Sequence, residues 1–174
     1  MTQYAHQYRI IIPDLPALNQ FAENLANQLR PGDLVSLDGQ LGAGKTTLVQ
    51  ALGQALHLKE TVSSPTFVLM NEYLSGPFPI AHVDLYRLGE DRAVGFANEL
   101  YAMLDEGRSL ILVEWACYGE FLQDDITIAV QVDFAPDLQK KATPDETWPD
   151  ETSSPMPRRI TLSATRPLDL SPVN

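Results

Sequence analysis

A chain of 174 residues with 23 acidic against 12 basic side chains has room for one compact domain. Its net charge of −11 makes it a poor stand-alone nucleic-acid binder, because phosphate contacts from Lys and Arg dominate that affinity. Its 44% hydrophobic and 20% charged make-up is that of a soluble globular protein, and Cys117, the only cysteine, excludes an internal disulfide.

No apolar run reaches the roughly 20 residues needed to span a bilayer. Met1–Arg9 is polar and lacks the apolar core of a signal peptide, so a cytoplasmic chain is expected. Tyr8–Ile12 reads as a short strand closed by Pro13. Asp14 and Pro16 then suit the cap and first turn of a helix, and Leu18, Phe21, Ala22, Leu25, Ala26 and Leu29 follow on one apolar face. Pro31–Gly32 stops that helix. Leu34–Asp38 is a buried strand, followed by a glycine-rich loop and a helix over about Lys45–Leu56 that buries Leu48, Ala51, Leu52 and Ala55.

Phe67–Tyr73 is β-like and Ser75–Gly76–Pro77 marks a turn. Ile80–Leu85 alternates, with Ala81, Val83 and Leu85 on one side and His82, Asp84 and Tyr86 on the other. Ala93–Leu104 returns to helical spacing, and Gly107 can terminate it. Leu110–Val113 is a continuous apolar run ending in Glu114, the pattern of a parallel strand covered on both faces. Ile126–Phe134 and Arg159–Thr165 read as a C-terminal strand pair. Between them, Ala135–Pro157 carries five acidic residues against two lysines and little to bury besides Trp148. It reads as an exposed, mobile insertion over 135–157, and 167–174 as a frayed tail. The expectation is a single α/β domain over 1–174: a P-loop NTPase fold whose mostly parallel central sheet is flanked by helices and ends in the strand pair.

The stretch Gly39–Gln40–Leu41–Gly42–Ala43–Gly44–Lys45–Thr46 matches G-x-x-x-x-G-K-[ST]. That chemistry needs glycines so the backbone can curl and aim N–H groups at phosphate oxygens. Lys45 is expected on the β- and γ-phosphates, the Thr46 hydroxyl on Mg²⁺, and the helix N-terminus on the same anion. At average glycine usage a chance match in a chain this long occurs about one time in a hundred. The preceding apolar strand and following amphipathic helix supply the required context.

Such a loop needs an acid at a nearby strand end to hold the metal or its waters. Glu114 and Asp84 are the two candidates, each against the plainer reading of a solvated strand-end acid. Ser63–Ser64–Pro65–Thr66 fits a hydroxyl-rich switch loop, although spacing alone favours an ordinary Pro-fixed turn. His82 reads equally as a structural histidine and as a proton carrier. Trp115 either lines the cleft or simply packs, and Arg158 and Arg159 are better read as solvated than as phosphate ligands. The chain has no N/T-K-x-D guanine reader, no LSGGQ signature and no Arg-rich kinase lid, which leaves ATP as the better guess.

Four stretches in this order resemble the TsaE family, formerly YjeE: Gly39–Thr47, Ser64–Pro65–Thr66–Phe67, His82–Val83–Asp84–Leu85–Tyr86–Arg87 and Leu112–Val113–Glu114–Trp115. The resemblance covers about Ile10 to Phe134 and the strand around Arg159. It implies a Mg²⁺-dependent ATPase that acts on a TsaD–TsaB complex to support threonylcarbamoyladenosine formation beside the tRNA anticodon. It does not imply the transfer itself, and tRNA is met only through that complex, away from any membrane. By the resemblance Gly42, Ala43, Gly44, Lys45, Thr46 and Thr47 hold phosphates, and Thr46 with Glu114 holds Mg²⁺. Thr66 is the switch threonine, Asp84 an essential acid near the γ-phosphate, and Trp115 a neighbour of the nucleotide; Lys45, Asp84 and Glu114 form the catalytic set. The 135–157 stretch departs from the family's short turn and unsettles the alignment of Arg158 and Arg159. The competing reading is a P-loop kinase for a small metabolite, with Asp84 as the base for an acceptor hydroxyl.

Overall fold

The computed structural model describes residues 4–138 and 156–171. Seven strands form one sheet: β1 (His6–Ile12), β2 (Leu34–Asp38), β3 (Met70–Tyr73), β4 (Ile80–Asp84), β5 (Leu110–Glu114), β6 (Ile128–Phe134) and β7 (Arg158–Ala164). Their order across the sheet is β1-β7-β6-β2-β5-β4-β3. The helices are α1 (Leu15–Ala26), α2 (Lys45–Ala55), α3 (Gly89–Ala93) and α4 (Ala97–Glu106).

Only β6, β2, β5 and β4 run parallel; β1–β7, β7–β6 and β3–β4 are antiparallel. The sheet is therefore mixed, which corrects the mostly parallel sheet expected from the sequence. An apolar run such as Leu110–Val113 marks a strand buried on both faces but leaves its neighbours' direction open. The C-terminal pair is present as β6 and β7, with Ile128 facing Ala164, and β7 also takes β1 on its other edge.

Alternation along the central strands divides the core between the two faces. Val35, Leu37, Leu110, Leu112 and Val130 pack with Phe21, Leu25, Leu48 and Leu52 of α1 and α2. Ala81, Val83, Ile111 and Val113 pack on the opposite face with Leu100 of α4, Leu122 and Ile126. Leu48 and Leu52 are fully buried. At about 1.5–3 kcal/mol each, they pin α2 and therefore the loop that precedes it.

Local chemistry explains most element ends. Asp14 caps α1 by accepting from the Ala17 N–H at 2.9 Å, with proline in the first turn, and Gly107 ends α4 at φ 62°. Two readings change. Val68 and Leu69 both donate to the Pro65 carbonyl, at 2.9 and 2.6 Å, so this stretch turns and the strand begins only at Met70. The helix expected over Ala93–Leu104 divides into α3, a 3-10 turn at Val94–Phe96 and α4.

The expected insertion lies mostly outside the described residues; its first part, Pro136–Leu138, forms a 3-10 turn. Residues 167–171 are not frayed: Leu168 is buried and its N–H donates to the Tyr8 hydroxyl at 2.8 Å. Among the described residues no helix is long and apolar enough to cross a membrane.

Candidate functional site

β2 delivers the chain to the glycine loop at Gly39, where φ is 140° and a Cβ would stand 2.1 Å from the Val132 carbonyl oxygen. Only glycine lets the backbone leave β2 that close to β6. The loop re-enters helix at Gly44, a left-handed residue (φ 108°) that gives α2 no side-chain cap. The first N–H groups of α2 therefore lack partners within the helix, and Gly44–Thr47 line a cleft of about 350 Å³. Open N–H groups at a helix N-terminus make an anion cradle.

Lys45 begins α2 and is itself buried. Its ammonium donates to the carbonyls of Gly39 at 2.8 Å and Gln40 at 3.0 Å, and lies 3.8 Å from the centre of the Trp115 ring. Burial pulls its pKa below the usual lysine value, while the carboxylates of Glu114, Asp38 and Asp84 pull it back up.

The acids arrive from neighbouring parallel strands in register. Asp84 at the end of β4 faces Glu114 at the end of β5, and His82 sits opposite Leu112. His82, Asp84 and Glu114 share the sheet face that α2 covers, because Ala81, Val83, Ile111 and Val113 occupy the other. The Thr46 hydroxyl lies 2.7 and 2.9 Å from the two Glu114 oxygens, and His82 Nε2 lies 2.8 Å from Oε1. The Thr66 hydroxyl donates to Asp84 Oδ2, while Asp84 Oδ1 accepts from the Tyr86 N–H at 2.9 Å. Ser64 and Thr66 hydroxyls are 2.7 Å apart, so the Ser64–Thr66 turn is tied to the end of β4.

Trp115 is placed by an unusual backbone, φ 58°, a conformation that non-glycine residues adopt uncommonly and that clusters at functional sites. Its N–H still continues the ladder to Leu37 at 2.9 Å, after which a 3-10 turn follows. Asp38 caps that turn by accepting from the Cys117 N–H at 3.0 Å. The indole then stacks on Tyr118 (centroids 6.0 Å apart) and meets a tilted Tyr86 ring at 4.8 Å, with the Lys45 ammonium over its face.

On the other side of the loop lies a second, largely apolar cavity of about 140 Å³. It is walled by Pro13, Leu18, Val132, Ile160 and Arg158 and reaches Gly42, Gly44 and Thr47. Arg158 Nε donates to the Ala43 carbonyl at 2.8 Å, and its guanidinium stands 4.4 Å from the Phe134 ring centre. Partial burial lowers the Arg158 pKa. Arg159 points elsewhere and pairs with Asp137 at 2.8 Å.

Lys45, Thr46, Thr66, Asp84, Glu114 and Trp115 thus line one cleft with Gly42, Gly44 and Thr47. Ala43 offers backbone only, its side chain being buried in the core. Two contacts escaped the sequence. His82, on the face of Asp84 as alternation places it, also reaches Glu114 on the next strand, and Arg158 buttresses the loop. An N–H cradle with a lysine suits polyphosphate, and a hydroxyl–carboxylate pair suits a hard cation with oxygen ligands. Among the described residues no three His, Cys, Asp or Glu gather to hold a metal by themselves.

A family model described as "Threonylcarbamoyl adenosine biosynthesis protein TsaE" matches residues 12–142. Curated relatives named "tRNA threonylcarbamoyladenosine biosynthesis protein TsaE" include one from Haemophilus influenzae. It is 33% identical over 145 residues, which is 80% of this chain and 85% of that protein. One from Synechocystis sp. is 51% identical over 77 residues, 44% of this chain and 49% of that protein, so the match spans about half the relative's length. The crystal structure of Bacillus subtilis YdiB superposes with a TM-score of 0.64 over 95% of this chain and 90% of that one. At 23% identity that likeness concerns the fold alone.

Proposed function

This chain belongs to the TsaE family, and from that premise we propose that it binds ATP with Mg²⁺ at the Gly39–Thr46 loop and hydrolyses it. The fold in this reading is that of a P-loop NTPase. The hydrolysis serves threonylcarbamoyladenosine formation on tRNA in the cytoplasm, through a TsaD–TsaB complex rather than by contact with tRNA. The observation that carries the reading is the Thr46 hydroxyl shared by both Glu114 oxygens, one residue beyond a lysine buried at the mouth of an N–H cradle.

Each residue has a task that its position supports. The N–H groups of Gly42–Thr47 and the Lys45 ammonium take the phosphates, which turns Lys45 away from the Gly39 and Gln40 carbonyls it now holds. Thr46 and Glu114 hold Mg²⁺. Bound there, the ion would neutralise charge developing on the β- and γ-phosphate oxygens. Asp84 and Thr66, joined to each other, stand where a water can be oriented toward the terminal phosphate. The apolar cavity by Pro13, Leu18 and Ile160, on the Thr47 side of the loop, has room for the adenine, with Arg158 at its wall. Trp115 and its aromatic neighbours cover the phosphates.

Phosphate release from ATP should require Mg²⁺, need no phosphate acceptor, and fall at least about a hundredfold in Lys45→Ala. In reconstituted synthesis of the modified nucleoside, omitting the chain should stop multiple turnover by the TsaD–TsaB complex, and Lys45→Ala should fail to restore it. Unimpaired turnover without the chain, or a phosphorylated metabolite as the product, would overturn the proposal.

A further inference from the structure

His82 is fully buried on β4, beneath the start of α2, and its ring is satisfied on one side only. Nε2 lies 2.8 Å from Glu114 Oε1, whereas Nδ1 meets no partner among the described residues. A carboxylate only accepts, so Nε2 carries the hydrogen of that bond, and Nδ1 is left without a partner in the core. For a purely structural residue this is an expensive choice. A leucine at the same strand position would fill the space without burying an orphan nitrogen. What the imidazole does provide is a fixed N–H aimed at one oxygen of the carboxylate that also faces Thr46.

That N–H is distinct from the other bonds Glu114 receives. The Thr46 hydroxyl approaches both carboxylate oxygens, at 2.7 and 2.9 Å, and so leaves the group free to rock about its axis. His82 binds Oε1 alone, from a rigid ring held inside the sheet. We propose that His82 is a positioning residue: its Nε2–H locks the Glu114 carboxylate in the rotation that presents it, together with the Thr46 hydroxyl, to a divalent cation. This rests on the reading of Thr46 and Glu114 as the Mg²⁺-holding pair. It follows the general behaviour of outer partners that orient oxygen ligands, whose loss typically costs 10- to 100-fold in metal affinity or activity.

The full chain is compared as wild type, His82→Leu and His82→Gln. The probe is a non-hydrolysable ATP analogue, titrated with and without Mg²⁺. Wild type should bind it more tightly when Mg²⁺ is present. His82→Leu should keep its Mg²⁺-free affinity and its melting temperature but lose roughly ten- to a hundredfold of the Mg²⁺-dependent gain. His82→Gln, whose amide nitrogen reaches about as far as Nε2, should recover most of it. In wild type free of nucleotide and Mg²⁺, ¹⁵N NMR of the ring should show a hydrogen on Nε2.

An undiminished Mg²⁺ gain in His82→Leu overturns the proposal. So does an equal loss in Leu and Gln with folding intact, since ring packing would then be what matters, and so does a hydrogen on Nδ1 alone. If His82→Leu does not fold, His82→Asn, whose amide stops short of Glu114, takes its place with the same expectation. If wild type itself gains nothing from Mg²⁺, the reading of Thr46 and Glu114 falls, and this inference with it. An undiminished gain in the variant fells this inference alone.

Discussion

Two carboxylates, at opposite ends of neighbouring parallel strands, are buried to nearly the same degree, Asp33 at 5% and Glu114 at 3% exposure, and are treated very differently. Asp33, just ahead of β2, takes four bonds. Arg166 grips it with both terminal nitrogens at 2.7 and 2.8 Å, the Arg30 N–H reaches it at 2.9 Å, and the Thr127 hydroxyl at 3.1 Å. Arg166 is itself anchored to the Gln28 carbonyl at 2.7 Å. Glu114, at the far end of β5, is met among the described residues by a hydroxyl and one imidazole nitrogen, and its nearest lysine, Lys45, feels its charge without a salt bridge to it. A buried acid that exists to hold the fold is neutralised from within the chain. One held without a direct salt bridge to Lys or Arg is a place where a cation can be brought.

The strongest way to break this comparison acts on the satisfied end. Arg166→Met strands Asp33 without its cation, which should cost about 3–5 kcal/mol. For a chain of this size that lowers the melting temperature by roughly 10 °C. Nucleotide affinity of the folded protein should be unchanged. Adding Asp33→Leu should recover much of the loss, because the orphaned charge goes with it. Thermal melts of the single and double variants check both; a drop of only a degree or two in the single would mean that Asp33 is no better satisfied than Glu114.

The same kind of change at the other end should have the opposite signature. Glu114→Gln removes a buried charge that no Lys or Arg grips directly, so the melting temperature should hold or rise. On the proposed reading hydrolysis should still fall by about a hundredfold or more, because the amide is a weak ligand for Mg²⁺. Melting curves and phosphate release on one preparation separate the two effects. A destabilised Glu114→Gln with normal hydrolysis would place Glu114 among the structural acids, beside Asp33.

What the sequence made legible follows the same division. Glu114 was found because it ends an apolar run, Asp84 because it ends an alternating one, and the loop because its glycines and lysine have fixed spacing. Four short stretches were enough to point to the family. The Asp33–Arg166 clamp was invisible, since nothing local relates an acid before one strand to an arginine after the last. The direction of β1, β3 and β7 was hidden for a related reason. Period-two burial tells which side chains face the core and says nothing about which strand lies alongside. The stretch before Met70 misled because Phe67, Val68 and Leu69 have strand-forming side chains. The Pro65 carbonyl takes two N–H groups there and folds them into a turn, leaving Phe67 84% exposed.

Cys117 offers the smallest effect and the most direct view of charge at the site end. Its N–H is held by Asp38, and partial desolvation of the thiol first, then the Asp38 carboxylate, pushes it from about 9 up to about 11. A folded-state value above the unfolded one favours the protonated thiol. Its contribution to stability is therefore complete below about pH 9 and is lost as pH rises through about 11. At pH 8 the thiolate fraction falls about a hundredfold against an ordinary cysteine, partly offset by the greater nucleophilicity of a more basic thiolate. Alkylation of the exposed Cys117 should then run roughly tenfold slower than that of a free thiol. Asp38→Asn, which removes the charge but not the burial, should speed it up. Labelling at the free-thiol rate would mean that positive charge near the thiol offsets both its desolvation and the Asp38 carboxylate. The strand ends around Lys45 and Glu114 would then hold more positive charge than their contacts account for, and the contrast with Asp33 would weaken accordingly.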